Sequence, residues 1–292
     1  MANSLREVKT RIQSTESTQQ ITKAMHMVSQ SKVKKAEKSY KNYKDFMERI
    51  SSMVSEIVEK AGTESTNPLL KKREVKKTAY LIVTSDRGLC GSYNSTVFKK
   101  LTEVIESSHT SKDEFVTQAI GKQGFSYLKR MNYPLLTDSQ TLVRDDVMFV
   151  DIAPLAKAFI DAYLNGEIDK LVIIYNHYEN SLTQEITVRE ILPIDKIEKE
   201  KSSGIDYVYE TGIERTLSLV LPMYVQDVIY GIILDAKTAE HSARMNSMKS
   251  ATDNAKEVID KLQLLYNRAR QNVVTNELID IIGGANAIGG DK

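Results

Sequence analysis

Residues 33–57, VKKAEKSYKNYKDFMERISSMVSEI, decide the fold, because their apolar side chains recur at alternating spacings of three and four residues. Such spacing places side chains in one stripe along an α-helix. The stripe consists of Val33, Ala36, Tyr40, Tyr43, Met47, Ile50, Val54 and Ile57, and Leu5, Val8, Ile12 and Thr15 extend it upstream. We therefore predict one helix whose stripe faces a partner helix.

The predicted helix is unusually long. No proline or glycine interrupts residues 3–61, so nothing in the sequence breaks it. A helix of roughly 55 residues measures about 80 Å, several times the ordinary globular length. A helix of this length does not fit inside a compact domain.

A second long helix is predicted in the C-terminal third. It is expected to start near Pro222 or a little before and to end at the Gly283-Gly284 pair. Because neither long helix has enough apolar surface for a globular core, we predict that they pair as an antiparallel coiled coil. The stripe of the second helix is predicted to consist of Met248, Ala251, Ala255, Val258, Leu262, Leu265, Ala269 and Ile281.

The middle of the chain has the pattern of an α/β domain. Apolar runs at 78–85, 115–120 and 170–176 indicate buried strands, and helical patterns around 95–106, 122–131 and 153–165 separate them. This alternation implies a mostly parallel sheet, and residues 184–194 alternate as an edge or antiparallel strand would.

The predicted fold class is therefore α/β, with a long antiparallel coiled coil of N- and C-terminal helices and an inserted Rossmann-like α/β domain. The expected domains are an N-terminal coiled-coil helix at 1–66, the α/β domain at 67–210 and a C-terminal coiled-coil helix at 211–292. Residues 67–77 and 198–204 have the composition of charged linkers.

Composition excludes several classes of protein. The 292 residues include 40 basic and 39 acidic side chains, so bulk charge does not favour nucleic acid. A single cysteine and scattered histidines favour a reducing compartment and no metal site. No window of the sequence approaches 18 uninterrupted apolar residues, and the N-terminus has no signal or transit peptide pattern, so we expect a bacterial protein on the cytoplasmic side that meets the membrane only through partners.

Residues 85–94, SDRGLCGSYN, follow a strand and open a helix, which is where α/β proteins place phosphate-binding loops. The stretch lacks the third glycine of a dinucleotide fingerprint and the Gly-Lys-Ser/Thr of a P-loop. We therefore favour a tight structural turn over a nucleotide site. Cys90 beside a helix N-terminus has no neighbouring histidine to act as a base, so we expect a small buried residue.

Two further features favour structural interpretations. His241 follows Glu240 but has no second histidine one turn away, so we expect a helix-surface residue and no metal ligand. The first helix also carries a basic stretch that could enter a DNA groove or simply be a solvated face, and an acidic protein partner suits it better than DNA. It consists of Lys32, Lys34, Lys35, Lys38, Lys41 and Lys44.

Separated motifs in a fixed order resemble one known family. They are ITKAM at 21–25 with Ser31-Lys32, SDRGLCG at 85–91, ARM at 243–245, ATDNA at 251–255, YNRARQ at 266–271 and TNE at 275–277. Together they span essentially the whole chain and resemble the F-type ATP synthase gamma subunit.

The resemblance implies a non-catalytic rotor shaft without a cofactor. Its implied partners are the ring of alpha and beta subunits, the epsilon subunit and the c-subunit ring, at the cytoplasmic face of a bacterial membrane. The shaft would couple proton translocation through the c ring to ATP synthesis or hydrolysis in the alpha-beta ring. A rod with an asymmetric surface can bias three surrounding sites differently as it turns, which is consistent with this role.

The resemblance also assigns contact residues, one by one. Those for the catalytic beta subunit are Lys23, Met25, Cys90, Arg270, Gln271 and Thr275, and Lys32, Lys34 and Lys35 are weaker candidates for the same acidic surface. Those for the c ring and the epsilon subunit are Tyr207, Tyr209 and Glu210.

Two other classes of function stay open at this point. One is a cytosolic enzyme of doubly wound type with coiled-coil arms, in which the loop at 86–91 would be the active-site turn. The other is a homodimeric coiled-coil DNA binder, whose signature would be a steep salt dependence of duplex affinity.

Overall fold

The computed structural model describes residues 5–62, 66–142, 144–194, 197 and 212–289, with side chains described to residue 285. It contains five α-helices and four strands within these ranges. The helices are α1 (Leu5–Ala61), α2 (Tyr93–Ser108), α3 (Lys122–Arg130), α4 (Phe149–Leu164) and α5 (Ile213–Gly289). The strands are β1 (Thr78–Val83), β2 (Phe115–Ile120), β3 (Lys170–Tyr178) and β4 (Gln184–Leu192).

The chain divides into two compact units. Residues 1–28 and 245–292 form the first, which we call the terminal unit, and residues 29–244 form the second, the α/β unit. Both long helices contribute to both units, because α1 and α5 each pass through a unit boundary.

The sheet of the α/β unit has the strand order β2-β1-β3-β4. Strand β1 pairs in parallel with both β2 and β3, and β3 pairs antiparallel with β4. This confirms the predicted mostly parallel sheet with an antiparallel strand. Strand β1 is buried along its whole length, as its continuous apolar sequence indicates.

Helices cover both faces of this sheet. Leu81 and Val83 point into the larger core, which they share with α4, α5 and the end of α1, whereas Tyr80 and Ile82 point into the smaller core beneath α2 and α3. The alternation follows from the two-residue period of a strand. Because alternate side chains of β1 enter different cores, packing on both faces of the sheet stabilises this central strand.

The two long helices run antiparallel where they meet within each unit. In the terminal unit, Val8 and Ile12 pack with Leu262, and Thr22 contacts Thr252, so α5 numbers fall as α1 numbers rise. In the α/β unit the Tyr43 ring packs edge-on against Tyr230, at 4.9 Å between ring centroids. The predicted antiparallel pairing of the long helices is confirmed.

Three predicted boundaries are wrong. Helix α5 begins at Ile213 and passes through Pro222, because its face formed by Leu217, Leu221 and Val225 is fully packed in the core. It also continues past Gly283 and Gly284. Neither glycine has the positive φ that a helix-ending cap needs.

Helix α4 begins at Phe149, four residues before the predicted start. The Asp151 carboxylate accepts a hydrogen bond from the backbone N–H of Met148 at 3.3 Å and so fixes the first turn. Pro154 lies inside the helix, in its second turn.

Candidate partner-binding surfaces

The apolar seam of the terminal unit is narrow. Its buried cluster consists of Val8, Ile12 and Leu262, with Tyr266 packed against them. The prediction that Val258 and Leu265 belong to this stripe is wrong, because they are 45% and 49% exposed. Apolar residues occupy positions 258 and 259 and also 265 and 266, so the spacing alone allows two stripes, one through 258 and 265 and one through 259 and 266. The stripe through 259 and 266 is the one that faces α1. The stripe runs through Met248, Ala255, Ile259, Leu262 and Tyr266.

Further along the terminal unit the seam is polar. The Thr252 hydroxyl lies 2.8 Å from the Thr22 hydroxyl and 2.8 Å from the Met248 carbonyl oxygen of its own helix. The Thr22 hydroxyl donates to the Gln19 carbonyl. Each hydroxyl therefore has a partner on its own helix and one across the seam.

The beta-subunit contact residues assigned to the terminal unit fall on two separate surfaces. Lys23 is exposed and Met25 half-buried on α1, whereas Arg270, Gln271 and Thr275 are exposed on α5. Thr22 pairs with Thr252, so Arg270 is 18 positions further along α5, about 27 Å at the rise of a helix. Only Gln271 and Thr275 are brought together, through a hydrogen bond from the Thr275 hydroxyl to the Gln271 carbonyl at 2.8 Å.

The last turns of α5 with described side chains expose large apolar residues. They are between 44% and 67% exposed: Val273, Val274, Leu278, Ile279, Ile281 and Ile282. At about 100° per residue they cover roughly two thirds of the helix circumference, which is wider than the stripe of a helix that packs on one partner, and Asn276 and Asp280 occupy the rest. An exposed apolar surface of this kind marks a site of interaction with another protein or with a membrane.

A smaller apolar surface accompanies Lys23 on α1. Ile21, Met27 and Val28 are each more than half exposed. Lys23 is thus a cationic side chain within an exposed apolar stretch, a combination that can meet an acidic partner with apolar contacts around it.

The loop at 85–94 is a self-bonded turn. The Asn94 side chain accepts from the Ser85 backbone N–H at 3.0 Å and donates to its hydroxyl at 2.8 Å, and the Ser85 hydroxyl donates to the Arg87 carbonyl at 2.6 Å. Leu89 and Gly91 have positive φ angles of 64° and 60°. These side chains satisfy each other, which supports the predicted structural turn.

Cys90 is buried in this turn, as the analysis of its surroundings predicts. It is 2% exposed and packs with Tyr93 and Ala239. Burial raises the pKa of its thiol. The side chain presents almost no surface of its own to a beta subunit, so any contact at this site would involve the neighbouring residues of the loop.

The basic stretch of α1 is partly engaged by the chain itself. The Lys32 ammonium lies 2.6 Å from Asp145, and that of Lys35 lies 2.7 Å from Asp146. Sequence reasoning missed these two aspartates, since they lie in an irregular segment more than 100 positions away and carry no local signal. Lys34 is exposed.

The prediction that His241 lies on the helix surface is wrong. It is 2% exposed, and its Nδ1 has no hydrogen-bond partner among the described residues. Burial lowers the pKa of its imidazole. His241 occupies a face of α5 that packs into the α/β unit. Because this part of the helix mixes polar and apolar residues, its sequence does not show which face is buried.

A buried ion-pair cluster lies beside His241. The Glu240 carboxylate accepts from Lys237 and from Arg244, each at 2.9 Å, and all three side chains are largely buried. Arg244 also donates to the Arg87 carbonyl at 3.2 Å. The cluster therefore fixes the 85–94 turn to α5, and it joins two of the sequence motifs that are far apart along the chain.

Three assigned contact residues, Tyr207, Tyr209 and Glu210, lie outside the described residues. Their assignment to the c ring and the epsilon subunit stays a prediction.

One stretch of α5 is long and apolar enough to cross a membrane by length and composition alone, and 44% of it is buried inside the protein. The core helix of a soluble protein passes the same test, so this is weak evidence of a membrane span. The helices and strands define a paired-helix protein with an inserted α/β domain, whose long helices expose apolar surface.

Comparison with known proteins identifies the family. The ATP synthase family model matches residues 4–288. The ATP synthase gamma chain of an Exiguobacterium species is 43% identical over 286 residues, which cover 98% of this chain and 99% of the relative. That of Exiguobacterium sibiricum is 42% identical over 284 residues, which cover 97% and 99%. The chain belongs to the ATP synthase gamma chain family and is a subunit of that membrane-associated complex.

Solved structures share the fold. A central-stalk and c-ring structure of the Tetrahymena thermophila mitochondrial ATP synthase contains a chain with a TM-score of 0.62 and 25% identity, which covers 79% of this chain and 99% of that one. A chain of the Euglena gracilis mitochondrial enzyme has a TM-score of 0.66 and 17% identity, which covers 98% and 95%.

Proposed function

We propose that this chain is the rotating, non-catalytic central shaft of an ATP synthase at the cytoplasmic face of a bacterial membrane. It couples ion translocation through a ring of c subunits to ATP synthesis or hydrolysis in a ring of alpha and beta subunits. The observation that carries the proposal is the end of α5, where exposed apolar side chains cover roughly two thirds of the helix circumference. A single flat interface would need apolar residues on one side only.

A surface of this kind suits a helix enclosed by several partners. Each subunit of a surrounding ring meets a different side of the helix, and a turn of the helix exchanges those sides. Exposed apolar side chains allow sliding contact, because they make no directional bonds that must break at each step. The family match and the central-stalk likeness support the same role.

Lys23 and Met25 on α1 and Arg270, Gln271 and Thr275 on α5 are proposed as contacts with the catalytic beta subunit. Their separation of about 27 Å along the helix pair means that they meet different parts of the ring. Lys23 carries the charge that an acidic partner segment would recognise, whereas Gln271 and Thr275 offer hydrogen bonds.

Reconstitution tests the proposal. ATP hydrolysis is measured for purified alpha and beta subunits with and without this chain, and for this chain alone. We expect activity to rise only in the reconstituted mixture and a bead attached to the chain to rotate. ATP hydrolysis by the isolated chain would place catalysis in the chain itself and overturn the proposal.

A further inference from the structure

A short segment before α4 is fixed to the folded α/β unit at both ends. Upstream, the Thr141 carbonyl accepts a hydrogen bond from the Gly121 backbone N–H at 3.0 Å, at the end of β2. Downstream, the Met148 N–H is held by Asp151 in the first turn of α4. Residues 145–149, which we call the clasp and which include Phe149 at the start of α4, follow the first of these attachments and contain the second.

The clasp contacts α1 through two ion pairs. The Asp145 carboxylate lies 2.6 Å from the Lys32 ammonium, and the two Asp146 oxygens lie 2.7 and 2.9 Å from that of Lys35. Lys32 and Lys35 are three positions apart and so lie on one face of α1. Asp145 and Lys32 are about half and one-third exposed, whereas Asp146 and Lys35 are both mostly exposed.

The clasp also contacts α5. The Val147 carbonyl accepts a hydrogen bond from the Tyr230 hydroxyl at 2.9 Å, and the Phe149 ring packs edge-on against Tyr230 at 5.7 Å between centroids. The His241 Nε2 lies 3.7 Å from Asp145. Asp145 thus faces α1 and α5 at once.

The position of the clasp along α1 gives it a mechanical role. The backbone connects α1 to the sheet only after Ala61, which is 29 positions beyond Lys32, or about 44 Å along the helix. Within the α/β unit, α1 is also attached to the sheet domain by the hydrogen bond from the Tyr178 hydroxyl to Glu37 and by the packing of its end in the larger core, and the clasp acts at the part of α1 farther from the covalent connection.

We propose that the clasp holds α1 against α5 within the α/β unit, so that these parts of the two helices turn with the sheet as one body, and that Asp145 is its positioning residue. This inference rests on the proposed function as a rotating shaft. Because the ion pairs are partly exposed, their attraction is screened by salt, and the clasp loosens as ionic strength rises.

Hydrogen exchange on the full-length chain tests the clasp itself. Asp145→Asn should raise the exchange rates of α1 amides around residues 29–36 about two- to fivefold at low salt, the range expected for one partly exposed ion pair. The difference should shrink at high salt. Asp146→Asn is the matched control with a smaller effect, because its ion pair is more exposed. Equal rates in Asp145→Asn and the parent chain would overturn the clasp.

A charge swap between the two side chains distinguishes the loss of their ion pair from a general destabilisation of the fold. Asp145→Lys should raise exchange in α1 further, and combining it with Lys32→Asp should return the rates towards those of the parent. A double variant no better than Asp145→Lys alone would contradict the pairing of these two side chains.

The assembled complex tests the mechanical role. With Asp145→Asn in reconstituted ATP synthase, we expect fewer ions pumped per ATP hydrolysed, and recovery in the charge-exchanged variant. Unchanged pumping per ATP, together with faster exchange in α1, would overturn the role in coupling. If the parent chain itself fails to activate alpha and beta subunits, the proposed function fails instead, and the exchange results still decide the clasp.

Discussion

The hydroxyl oxygen of Thr252 on α5 lies 2.8 Å from that of Thr22 on α1, in the seam of the terminal unit. A polar pair in an otherwise apolar seam sets the register, because sliding either helix leaves a hydroxyl facing apolar side chains. Among the described residues, the buried apolar cluster of this seam consists of Val8, Ile12 and Leu262, and Met248 and Ala255 are buried nearer the hydroxyl pair. The hydroxyl pair therefore carries a large share of the register preference.

Thr252→Val should lower the free energy of unfolding of the helix pair by about 1 kcal/mol, because it removes one partly buried hydrogen bond. Thr22→Val combined with Thr252→Val should cost less than the sum of the single changes, since neither hydroxyl is left without its partner. Urea denaturation followed by circular dichroism measures both. Thr18→Val, whose hydroxyl is exposed and bonds only within α1, is the control. Additive costs would contradict the coupling of the pair.

Gly231 allows the Tyr43 ring to approach α5. A Cβ at this position would lie 3.0 Å from the Tyr43 Cε1, and the ring is held by hydrogen bonds from its hydroxyl to the Asp227 carbonyl and carboxylate. Alanine gains about 1 kcal/mol of helix propensity over glycine, but the fixed ring cannot move away. We expect Gly231→Ala to destabilise the chain by about 1 kcal/mol.

Gly283→Ala is the control for that prediction, because its Cβ would meet nothing within 4 Å, and it should stabilise α5. Thermal unfolding reports both changes. In a Tyr43→Ala background, Gly231→Ala should stabilise the chain, because the ring is absent. If Gly231→Ala stabilises the parent chain as well, the ring moves freely and the prediction is wrong.

Gly121 is required at the end of β2. Its φ is +95°, and an added Cβ would lie 2.2 Å from the Thr84 carbonyl oxygen of β1's continuation, a backbone atom that cannot move independently. Gly121→Ala should cost about 3 kcal/mol or more and lower the yield of folded chain. Gly88→Ala, whose Cβ would meet nothing within 4 Å, should change stability by less than about 0.5 kcal/mol. Equal expression and melting of the two variants would contradict the clash.

His241 should make stability depend on pH. Burial holds the pKa of this imidazole below its unfolded value of about 6.5, so the unfolded chain binds the proton more tightly. The stabilising contribution is complete above about pH 6.5 and is lost as pH falls towards the lowered pKa. His241→Gln should flatten this part of the pH profile of unfolding free energy. The difference in unfolding free energy between the two chains at pH 8 gives the pH-independent cost of the replacement. Parallel pH profiles of the unfolding free energy for the two chains would contradict the prediction.

Met25→Lys tests the proposed contact with the beta subunit. A lysine that faces carboxylates across a moving interface adds an ion pair of about 1.5 kcal/mol, which must break at each step and slows it about tenfold. We expect ATP-driven proton pumping to fall more than the amount of assembled complex. Val258→Lys, at a 45% exposed position of α5 outside the assigned contacts, is the control. Normal pumping by Met25→Lys would refute the contact.

Much of the fold could be predicted because it depends on local periodicity. Strand β2 matches its prediction, and α1, β1 and β3 differ by a few residues at their ends. The boundaries of α5 could not be predicted, because Pro222 and the Gly283-Gly284 pair usually end helices, whereas here a packed core face carries the helix through the proline. The proposed contact residues on α1 and α5 rest on resemblance, and their position on two separate surfaces was visible only in three dimensions.

The sequence by itself determined that two long helices precede and follow a mostly parallel α/β domain along the chain, because apolar periods of 3.6 and 2 residues are local properties of the sequence. Only the tertiary structure decided which phase of the α5 stripe faces α1, since apolar residues at both 258 and 259 satisfy the same spacing. It alone placed His241 inside the α/β unit and Asp145 against Lys32. These contacts join residues far apart in sequence, and such pairings depend on how packed elements meet in space.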